Sequence, residues 1–352
     1  MKVLSLFSGV GGFDLGLENA GMETVFQCEW DKHATKILEK HWPHVPRWTD
    51  VSTLTGEYIL SHAPVIDVVA WGSPCQDLSV AGKRAGLEGA RSGLFHEGVR
   101  IIKELRELTD GKYPRISIWE NVAGALSSGG GADFGQVLYE MDEAGACFSE
   151  WRILDAQYFG VPQRRRRVFL ISVFDPATAA RCPDPLLPVS ESVRRDTETG
   201  NTARQEPASE TTTSFGSSNF GGWAETDTAI TLSQRDYKSS NTITVIEPPI
   251  LIDRAAFNQG QNAQYQPIIS DAPVTPSLVA MGPHAVATKS VVRRLTPLEC
   301  ERLMGWPDDW TAGQSDTHRY KQCGNGVASP VATWIGQQLM ATATDASTTD
   351  AD

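Results

Sequence analysis

The stretch KVLSLFSGVGGFDLGLENAGMETVFQCEW, at residues 2–30, decides the fold. It opens as a short apolar strand, turns through three closely spaced glycines, continues with helical spacing of apolar residues and returns to a second apolar strand. Short Val- and Ile-rich strands that alternate with helices are typical of a parallel sheet with both faces covered. This unit therefore predicts the beginning of an α/β domain.

The same alternation continues through the first half of the chain. The predicted strands cover residues 2–9, 23–30, 65–74, 115–122 and 164–174, and the predicted helices cover residues 12–22, 31–42, 93–108 and 134–145. We expect a doubly wound, mostly parallel sheet.

A second domain is predicted where the composition changes, after residue 188. Residues 190 to about 290 are rich in Ser, Thr, Asn, Gln and Gly and carry short β-prone pieces such as NTITVIEPPILI at 241–252. Helical spacing returns at 296–306 and 326–340. We expect one domain from 1–188 and 314–340, a β-rich domain at 189–313 inserted before the last helix, and a disordered tail at 341–352. For residues 194–214 the sequence leaves order and disorder equally open.

Composition limits the classes of function. The chain has 352 residues and 40% hydrophobic content, and no run approaches the roughly 20 apolar residues that span a bilayer. The first residues lack a cleavage site for secretion, so a cytoplasmic protein is expected. Its six cysteines are scattered without metal-ligand spacing, which predicts neither disulfides nor a metal site. With a net charge of −12, any polyanion must be held by local basic clusters, of which QRRRR at 163–167 is the densest.

The glycine loop after the first strand predicts a site for an adenosine-containing cofactor. Its glycines let the backbone pass close to a nucleoside, and the helix that follows offers free N–H groups. Glu29 ends the second strand at the position of a ribose-binding acid, and Asp50 is a candidate acceptor for an adenine amino group. The dinucleotide pattern GxGxxG is not met, because Asp14 stands where its third glycine would be; NAD and FAD become less favoured without being excluded. A plain tight turn is the alternative.

Three chemical groups are predicted to converge at one edge of the sheet. Cys75 follows a strand exit, Glu120 closes a later strand, and QRRRR opens the next one. Ligands of doubly wound sheets bind in the crevice beyond the carboxyl ends of the strands. Singly, a cysteine is most often buried filler, a glutamate a helix cap and an arginine run a solvated face. Their convergence favours a reactive site.

The ordered set of motifs resembles the DNA (cytosine-5)-methyltransferase family from residue 3 to about 340, apart from the variable segment at 190–290. The matching stretches are FSGVGGFDLGLENAG (7–21), CEWD (28–31), TDV (49–51), GSPCQDLSVAGKRAG (72–86), RSGLF (91–95), ENV (120–122), QRRRRVFLIS (163–172), RRLTPLECERLMGWP (293–307) and GNGVASPVATWIG (324–336). The resemblance implies a Rossmann-like class I methyltransferase domain that binds S-adenosyl-L-methionine, with a target-recognition domain at 189–313.

The resemblance also implies the site residues. The implied cofactor contacts are Phe7, Gly9, Gly11, Gly12, Glu29, Trp30, Asp50, Pro74, Leu94 and Asn325. The implied catalytic residues are Cys75, Glu120, Arg165 and Arg167. A Cys75 thiolate would add to C6 of cytosine, Glu120 would hydrogen-bond N3, and Arg165 would reach O2 and, with Arg167, favour the thiolate. The target base must first be flipped out of the duplex.

The expected DNA contacts lie in two regions. In the glycine-rich loop after Cys75 they are Gln76, Ser79, Lys83, Arg84 and Arg91, and in the target-recognition domain and its border they are Arg235, Lys238, Arg254, Asn258, Arg293 and Arg294. Lysine and arginine suit phosphates, and Arg and Asn pair bidentately with guanine and adenine edges. A mobile surface loop and polar residues kept for solubility are the respective alternatives.

Three other functions stay open at this point. The first is a tRNA cytosine-5 methyltransferase, which one branch of the family represents and which the long β-rich segment disfavours. The second is a catalytically silent DNA-binding regulator, and the third is a nicotinamide oxidoreductase. For the favoured function we expect a monomer acting on double-stranded DNA, without metal or membrane, in a restriction-modification system whose endonuclease acts separately.

Overall fold

The structure, a computed structural model, describes residues 1–73, 93–189 and 295–344, together with the backbone of seven short strands between 212 and 293. By contacts between residues the chain forms two compact units. The first unit comprises Met1–Leu154, Arg166–Pro188 and Val331–Asp352, and the second comprises Asp155–Arg165 and Val189–Pro330. These units are defined by contacts alone, so the functional domain limits expected from the sequence remain predictions.

A seven-stranded sheet organises the first part of the chain that the structure describes. Its strands, in chain order, are β1 (Lys2–Leu6), β2 (Glu23–Cys28), β3 (Arg47–Trp48), β4 (Val68–Trp71), β5 (Ile116–Val122), β6 (Phe148–Asp155) and, after the short β7 (Gln163–Arg164) of another sheet, β8 (Arg166–Val173). They lie in the order β3-β2-β1-β4-β5-β8-β6. The pairs among β1 to β5 are parallel, which confirms the doubly wound, mostly parallel prediction.

Two features of the sheet differ from the prediction. β8 pairs with β5 in the antiparallel direction, so the sheet is mixed. β6 was not predicted, because FSEWRILD has neither a continuous apolar run nor a strict alternation of polar and apolar residues; it lies at the edge of the sheet. The antiparallel β8 has a consequence for the site, since its beginning lies beside the end of β5.

Nine α-helices occur within the described ranges. They are α1 (Gly12–Asn19), α2 (Lys32–His41), α3 (Gly56–His62), α4 (Gly93–Leu108), α5 (Ala132–Glu143), α6 (Pro176–Ala179), α7 (Pro297–Leu303), α8 (Asp316–Asn325) and α9 (Ser329–Thr344). α4 has the predicted limits, whereas α3 and α8 were not predicted. α9 continues to Thr344, so residues 341–344, expected in a disordered tail, form its last turns instead; residues 345–352 lie outside the described part.

Close packing at two glycines ties helices to the first unit. On α4, a Cβ at Gly98 would lie 2.4 Å from Cζ3 of the buried Trp71. On α9, a Cβ at Gly336 would lie 2.7 Å from Cβ of Ala20, just after α1. Only glycine allows such approach. The last helix, which follows the inserted segment in the sequence, therefore packs on the first unit, as predicted.

The inserted segment is β-rich, as expected, in the parts whose backbone is described. Its strands are β9 (Thr212–Ser217), β10 (Trp223–Thr226), β11 (Ala229–Ile230), β12 (Ile243–Ile246), β13 (Ile250–Ile252), β14 (Ala285–Thr288) and β15 (Val291–Arg293). They form sheets of order β10-β9-β12 and β13-β14-β15, and β11 pairs with β7. No described helix is both long and apolar enough to cross a membrane.

Candidate active site

The glycine loop between β1 and α1 contains three residues with positive φ. Phe7 has φ +54°, Gly9 +58° and Gly11 +83°, all in the left-handed region. A Cβ at Gly11 would lie 2.3 Å from Cζ3 of Trp42, whereas a Cβ at Gly9 would meet nothing within 4 Å. Gly11 is thus required by packing against the protein. Gly9 borders open space, and Gly12 begins α1.

Glu29 connects the glycine loop to the end of β2. Its Oε2 accepts a hydrogen bond from the Gly9 N–H at 2.7 Å, and its Oε1 accepts one from the Asp31 N–H at 2.7 Å. The carboxylate is half-buried, and the next side chain, Trp30, is 71% exposed. Each carboxylate oxygen has a second lone pair, so this group can also accept ribose hydroxyls. Among the described residues, no atom lies within 4 Å of the position that a Cβ at Gly9 would take.

The remaining cofactor candidates are distributed over both units. Asp50 is half-buried and caps the 3₁₀ turn Val51–Thr53, accepting from the Ser52 N–H at 3.0 Å. Leu94 is half-buried near the start of α4 and packs against the core. Asn325 is exposed at the end of α8, in the second unit.

Asp14, which replaces the third glycine of the dinucleotide pattern, is fully buried beneath the glycine loop. Its Oδ2 accepts from Ser5 Oγ on β1 at 2.9 Å, and its Oδ1 accepts from Gln27 Nε2 on β2 at 2.7 Å. Gln27 Oε1 in turn accepts from Arg47 Nε at 2.8 Å. Burial raises the pKa of Asp14 to about 6, although the hydrogen bonds from Gln27 and Ser5 oppose the shift. This network joins the start of α1 to the strands β1, β2 and β3.

We expect Asp14→Asn to remove part of the pH dependence of stability. A carboxyl pKa raised on folding stabilises the protein at low pH, and this contribution is lost as pH rises from the unfolded pKa, 3.8, to about 6. Asparagine has no charge; its Oδ1 can accept from Gln27 Nε2, and its Nδ2 can donate to Ser5 Oγ in place of the bond that the carboxylate accepted. The free energy of unfolding of the variant, relative to wild type, should therefore rise by about 3 kcal/mol between about pH 4 and pH 7 in urea titrations. The exposed-site variant Asp142→Asn should show no such trend, and a pH-independent difference for Asp14→Asn would contradict the assignment.

β4 ends beside β5. Their register aligns Trp71, the last residue of β4, with Trp119, and β5 continues to Val122 in its pairing with β8. Ser73 is held at this point by Trp119 Nε1, which donates to its Oγ at 3.3 Å. A Cβ at Gly72 would lie 3.1 Å from Glu120 Oε2, so the carboxylate borders the backbone that leads to residue 74.

Glu120 is paired with Arg167 across the antiparallel strands β5 and β8. Arg167 Nε lies 3.0 Å from Glu120 Oε1, and the two side chains are only 13% and 14% exposed. The register places Val122 opposite Arg167. Glu120 lies two residues before Val122 and therefore on the same face of β5, so its side chain is a diagonal neighbour of Arg167. The pair is shielded from water, so its charges act strongly on whatever enters beside them.

Arg165, whose guanidinium the sequence predicts to reach the base, is buried in the structure. It belongs to the second unit, is 3% exposed, and donates through Nη2 to the backbone carbonyls of Gly324 at 3.2 Å and Gly326 at 2.5 Å. Within the first unit it is Arg167 that the structure brings to Glu120. The two arginines, two positions apart on the chain, thus have different surroundings.

Most described cysteines are unsuited to act as nucleophiles. Burial raises the pKa of the Cys28 thiol to about 12 and raises the pKa values of Cys182 and Cys323 as well. Cys300 is buried, and Cys147 is exposed with its Sγ 3.3 Å from the Val173 carbonyl. The thiolate is the reactive form of cysteine, so buried protonated thiols are inert.

Several predicted residues lie outside the described part of the chain. These are Pro74, Cys75, Gln76, Ser79, Lys83, Arg84, Arg91, Arg235, Lys238, Arg254, Asn258, Arg294 and the side chain of Arg293. Among the residues that are described, no group of three or more His, Cys, Asp or Glu is arranged to hold a metal ion.

Sequence reasoning missed the supporting contacts. Asp14 was noted only as a departure from GxGxxG. The available signal was the placement of Ser5 and Gln27 within otherwise apolar strands, since a buried polar residue needs a partner. The pairing of Arg165 with the end of α8 had no signal, because its partners are backbone carbonyls 159 and 161 residues away.

The fold and the glycine loop define a class: an α/β enzyme that binds a nucleoside cofactor at the carboxyl ends of its strands. The chain belongs to the family of C-5 cytosine-specific DNA methylases, whose family model matches residues 1–341. The family's reaction is methylation of C5 of cytosine in DNA, and the chain is an enzyme of this type.

The chain is also similar to individual proteins. Type II methyltransferase M.HhaI of Haemophilus parahaemolyticus is 29% identical over 358 residues, which cover 96% of this chain and 94% of that protein. A protein of Escherichia phage P1 named DNA N-6-adenine-methyltransferase is 26% identical over 465 residues, and this match spans 95% of the chain but 60% of the phage protein. Among solved structures, S. pombe Dnmt2 methyltransferase has the same fold, with a TM-score of 0.60, 18% identity and coverage of 97% of this chain and 99% of that one.

Proposed function

We propose that the protein methylates C5 of cytosine at a specific sequence in duplex DNA, with S-adenosylmethionine as methyl donor and a covalent bond between Cys75 and C6 as the intermediate. The observation that carries the proposal is the Glu120–Arg167 pair beside the segment that leads to Cys75. An acid and a guanidinium group are what a cytosine needs at N3 and O2 when a nucleophile attacks C6.

Covalent geometry supports the participation of Cys75. Three Cα–Cα steps of at most about 3.6 Å keep the Cα of Cys75 within about 11 Å of that of Gly72. The backbone of Gly72 borders Glu120 Oε2. This upper bound allows residue 75 to reach a base that Glu120 contacts, which supports the proposal.

The thiol is needed because C5 of cytosine is a poor nucleophile. When the Cys75 thiolate forms a bond to C6, the C5–C6 double bond becomes an enamine-like system whose electron pair is available at C5. C5 would then take the methyl group as its bond to the donor's sulfonium sulfur breaks, which leaves a neutral thioether. The C5 proton leaves to a base, and expulsion of the thiolate from C6 restores the aromatic ring. Every bond to the enzyme is thus broken again.

Glu120 and Arg167 divide the polar edge of the base between them. N3 of cytosine is an acceptor, so Glu120, which is ion-paired with Arg167 in the structure, must take up a proton from solvent as the base enters and present it to N3. This proton neutralises the negative charge that develops as sulfur adds. Arg167 holds Oε1 of Glu120, which leaves Oε2 directed to the Gly72 side. The N–H groups of Arg167 that do not face Glu120 suit the O2 acceptor of the base.

The cofactor site rests on the residues around the glycine loop. Glu29 would accept ribose hydroxyls, Trp30 would cover the adenine, Asp50 would accept from its amino group, and Gly9 would leave room for the nucleoside. When bound, S-adenosylmethionine supplies an electrophilic methyl group. Phe7, Gly11, Gly12, Leu94, Pro74 and Asn325 complete the proposed contacts.

The proposed substrate must be opened before reaction. A base in a stacked duplex cannot present C6 to a thiol, so the cytosine is flipped out at a cost of a few kcal/mol. We assign closure over the DNA to residues 76–91 and sequence reading to residues 189–313. The enzyme would act in the cytoplasm as a monomer, within a restriction-modification system.

Bisulfite sequencing of a plasmid from cells expressing the protein tests the function. One short sequence should have its cytosine protected from conversion, and the same plasmid from cells expressing Cys75→Ser should be fully converted. The phage P1 relative, named for adenine, makes a nucleoside analysis useful as well. 5-Methylcytosine is expected, whereas N6-methyladenine as the product would overturn the proposal.

A further inference from the structure

We propose that Arg165 is a positioning residue for the cofactor rather than a contact to the base, because its guanidinium fixes the turn that carries Asn325. The inference rests on the proposed function, in which Asn325 contacts S-adenosylmethionine. All residues that carry it belong to the second unit.

One nitrogen of the Arg165 guanidinium bonds two backbone carbonyls. Arg165 is 3% exposed, and its Nη2 donates to the carbonyls of Gly324 and Gly326 at 3.2 and 2.5 Å. Its own N–H donates to Asp155 Oδ1 at 2.8 Å, which fixes the segment from which the side chain projects. Charge-assisted hydrogen bonds are stronger than neutral ones, and a buried cation depends on them.

The end of α8 receives a cation from another segment of the chain. The last carbonyls of a helix have no partner within the helix and carry the negative end of its dipole. α8 has no basic residue in its last turn. Arg165 supplies the charge from a distant segment of the chain and binds the carbonyls on either side of Asn325.

The turn has an inner and an outer side. Gly324 and Gly326 are buried, whereas Asn325 between them is exposed. A Cβ at Gly326 would lie 2.5 Å from Cζ2 of Trp306, so the backbone is packed tightly on the inner side. Arg165 therefore fixes the backbone at Gly324 and Gly326 from the buried side of the turn, and this backbone determines the direction of the Asn325 side chain.

The other end of α8 is anchored independently. Arg319 pairs with Glu301 Oε1 at 2.8 Å, and its Nε donates to Thr311 Oγ1 at 3.1 Å. Glu301 is fully buried on α7. Since this ion pair holds the helix, loss of the Arg165 contacts should loosen the terminal turn and leave the rest of α8 in place.

The first test measures cofactor binding without DNA. Lysine keeps the charge but lacks the planar fork that reaches two carbonyls, so Arg165→Lys should weaken S-adenosylmethionine binding about tenfold in calorimetry. Arg166→Lys changes the adjacent, exposed arginine and should leave the dissociation constant unchanged. An unchanged constant for Arg165→Lys would overturn the proposal, since a base contact would not be sensed without DNA.

A double-mutant cycle tests whether Arg165 acts through Asn325. Asn325→Ala should by itself weaken cofactor binding about tenfold, and adding Arg165→Lys should then cause less than about a twofold further change. Effects that multiply would show that Arg165 acts by another route and would contradict the inference.

Amide hydrogen exchange gives a readout that needs no cofactor. The Gly326 N–H donates to the Gln322 carbonyl at 2.8 Å, and its exchange should be faster in Arg165→Lys than in wild type. Equal rates would overturn the role of Arg165 as a clamp. If wild type itself bound no S-adenosylmethionine, the proposed function would fail. The exchange rates would still show whether Arg165 stabilises the turn at Gly324 and Gly326.

Discussion

Replacement of Cys75 by serine is expected to lower the rate of methyl transfer on the order of 10⁴-fold or more, because a serine hydroxyl is not ionised at neutral pH and adds poorly to C6. Binding of S-adenosylmethionine should be nearly unchanged. Transfer of tritiated methyl groups to DNA measures the first quantity, and calorimetry measures the second.

The exposed Cys147 offers a matched control for this change. Cys147→Ser alters a thiol that the proposed chemistry does not use, so its turnover should equal that of wild type. Unchanged turnover in Cys75→Ser would refute the nucleophile. Loss of both turnover and cofactor binding would show that the residue supports the structure instead.

Glu120→Gln is expected to slow methyl transfer by about 10²- to 10⁴-fold, the range associated with loss of general acid catalysis. Glutamine can donate a hydrogen bond to N3, but it cannot transfer the proton that neutralises the ring as sulfur adds. It also gives up the ion pair with Arg167. Single-turnover measurements at saturating DNA and cofactor report this step without the contribution of binding.

The control for the glutamate is Glu143→Gln, an exposed position on α5. That variant should turn over like wild type, and both variants should bind S-adenosylmethionine equally well. A Glu120→Gln enzyme with wild-type single-turnover rates would remove Glu120 from the chemistry.

The first strand-loop-helix-strand unit was predictable because its signals are local. Glycines with positive φ, an acid after the second strand and apolar strands are all readable over some thirty residues, and the structure has them at Gly9, Gly11 and Glu29. α2 likewise begins at its predicted place, since the Asp31 side chain caps it by accepting from the His33 N–H at 2.8 Å.

Long-range pairing was not predictable from local patterns. The antiparallel direction of β8 brings Arg167 to Glu120, and no feature of QRRRR distinguishes Arg165 from Arg167 before the sheet forms. β6 was missed for a related reason: an edge strand with neither a continuous apolar run nor a strict alternation resembles a loop. Strand direction and pairing depend on the whole domain and are not encoded in a single segment.

The central claim is a temporary carbon–sulfur bond between Cys75 and the target cytosine, and trapping that bond tests it most directly. In a duplex with 5-fluorocytosine at the methylated position, fluorine cannot leave as the C5 proton does, so the enzyme should remain attached after methyl transfer. Trypsin should release residues 48–83, in which Cys75 is the only cysteine. We predict that mass spectrometry finds the methylated, fluorinated base on Cys75 of this peptide. Absence of an adduct on the cognate duplex, or an adduct on another residue, would contradict the account.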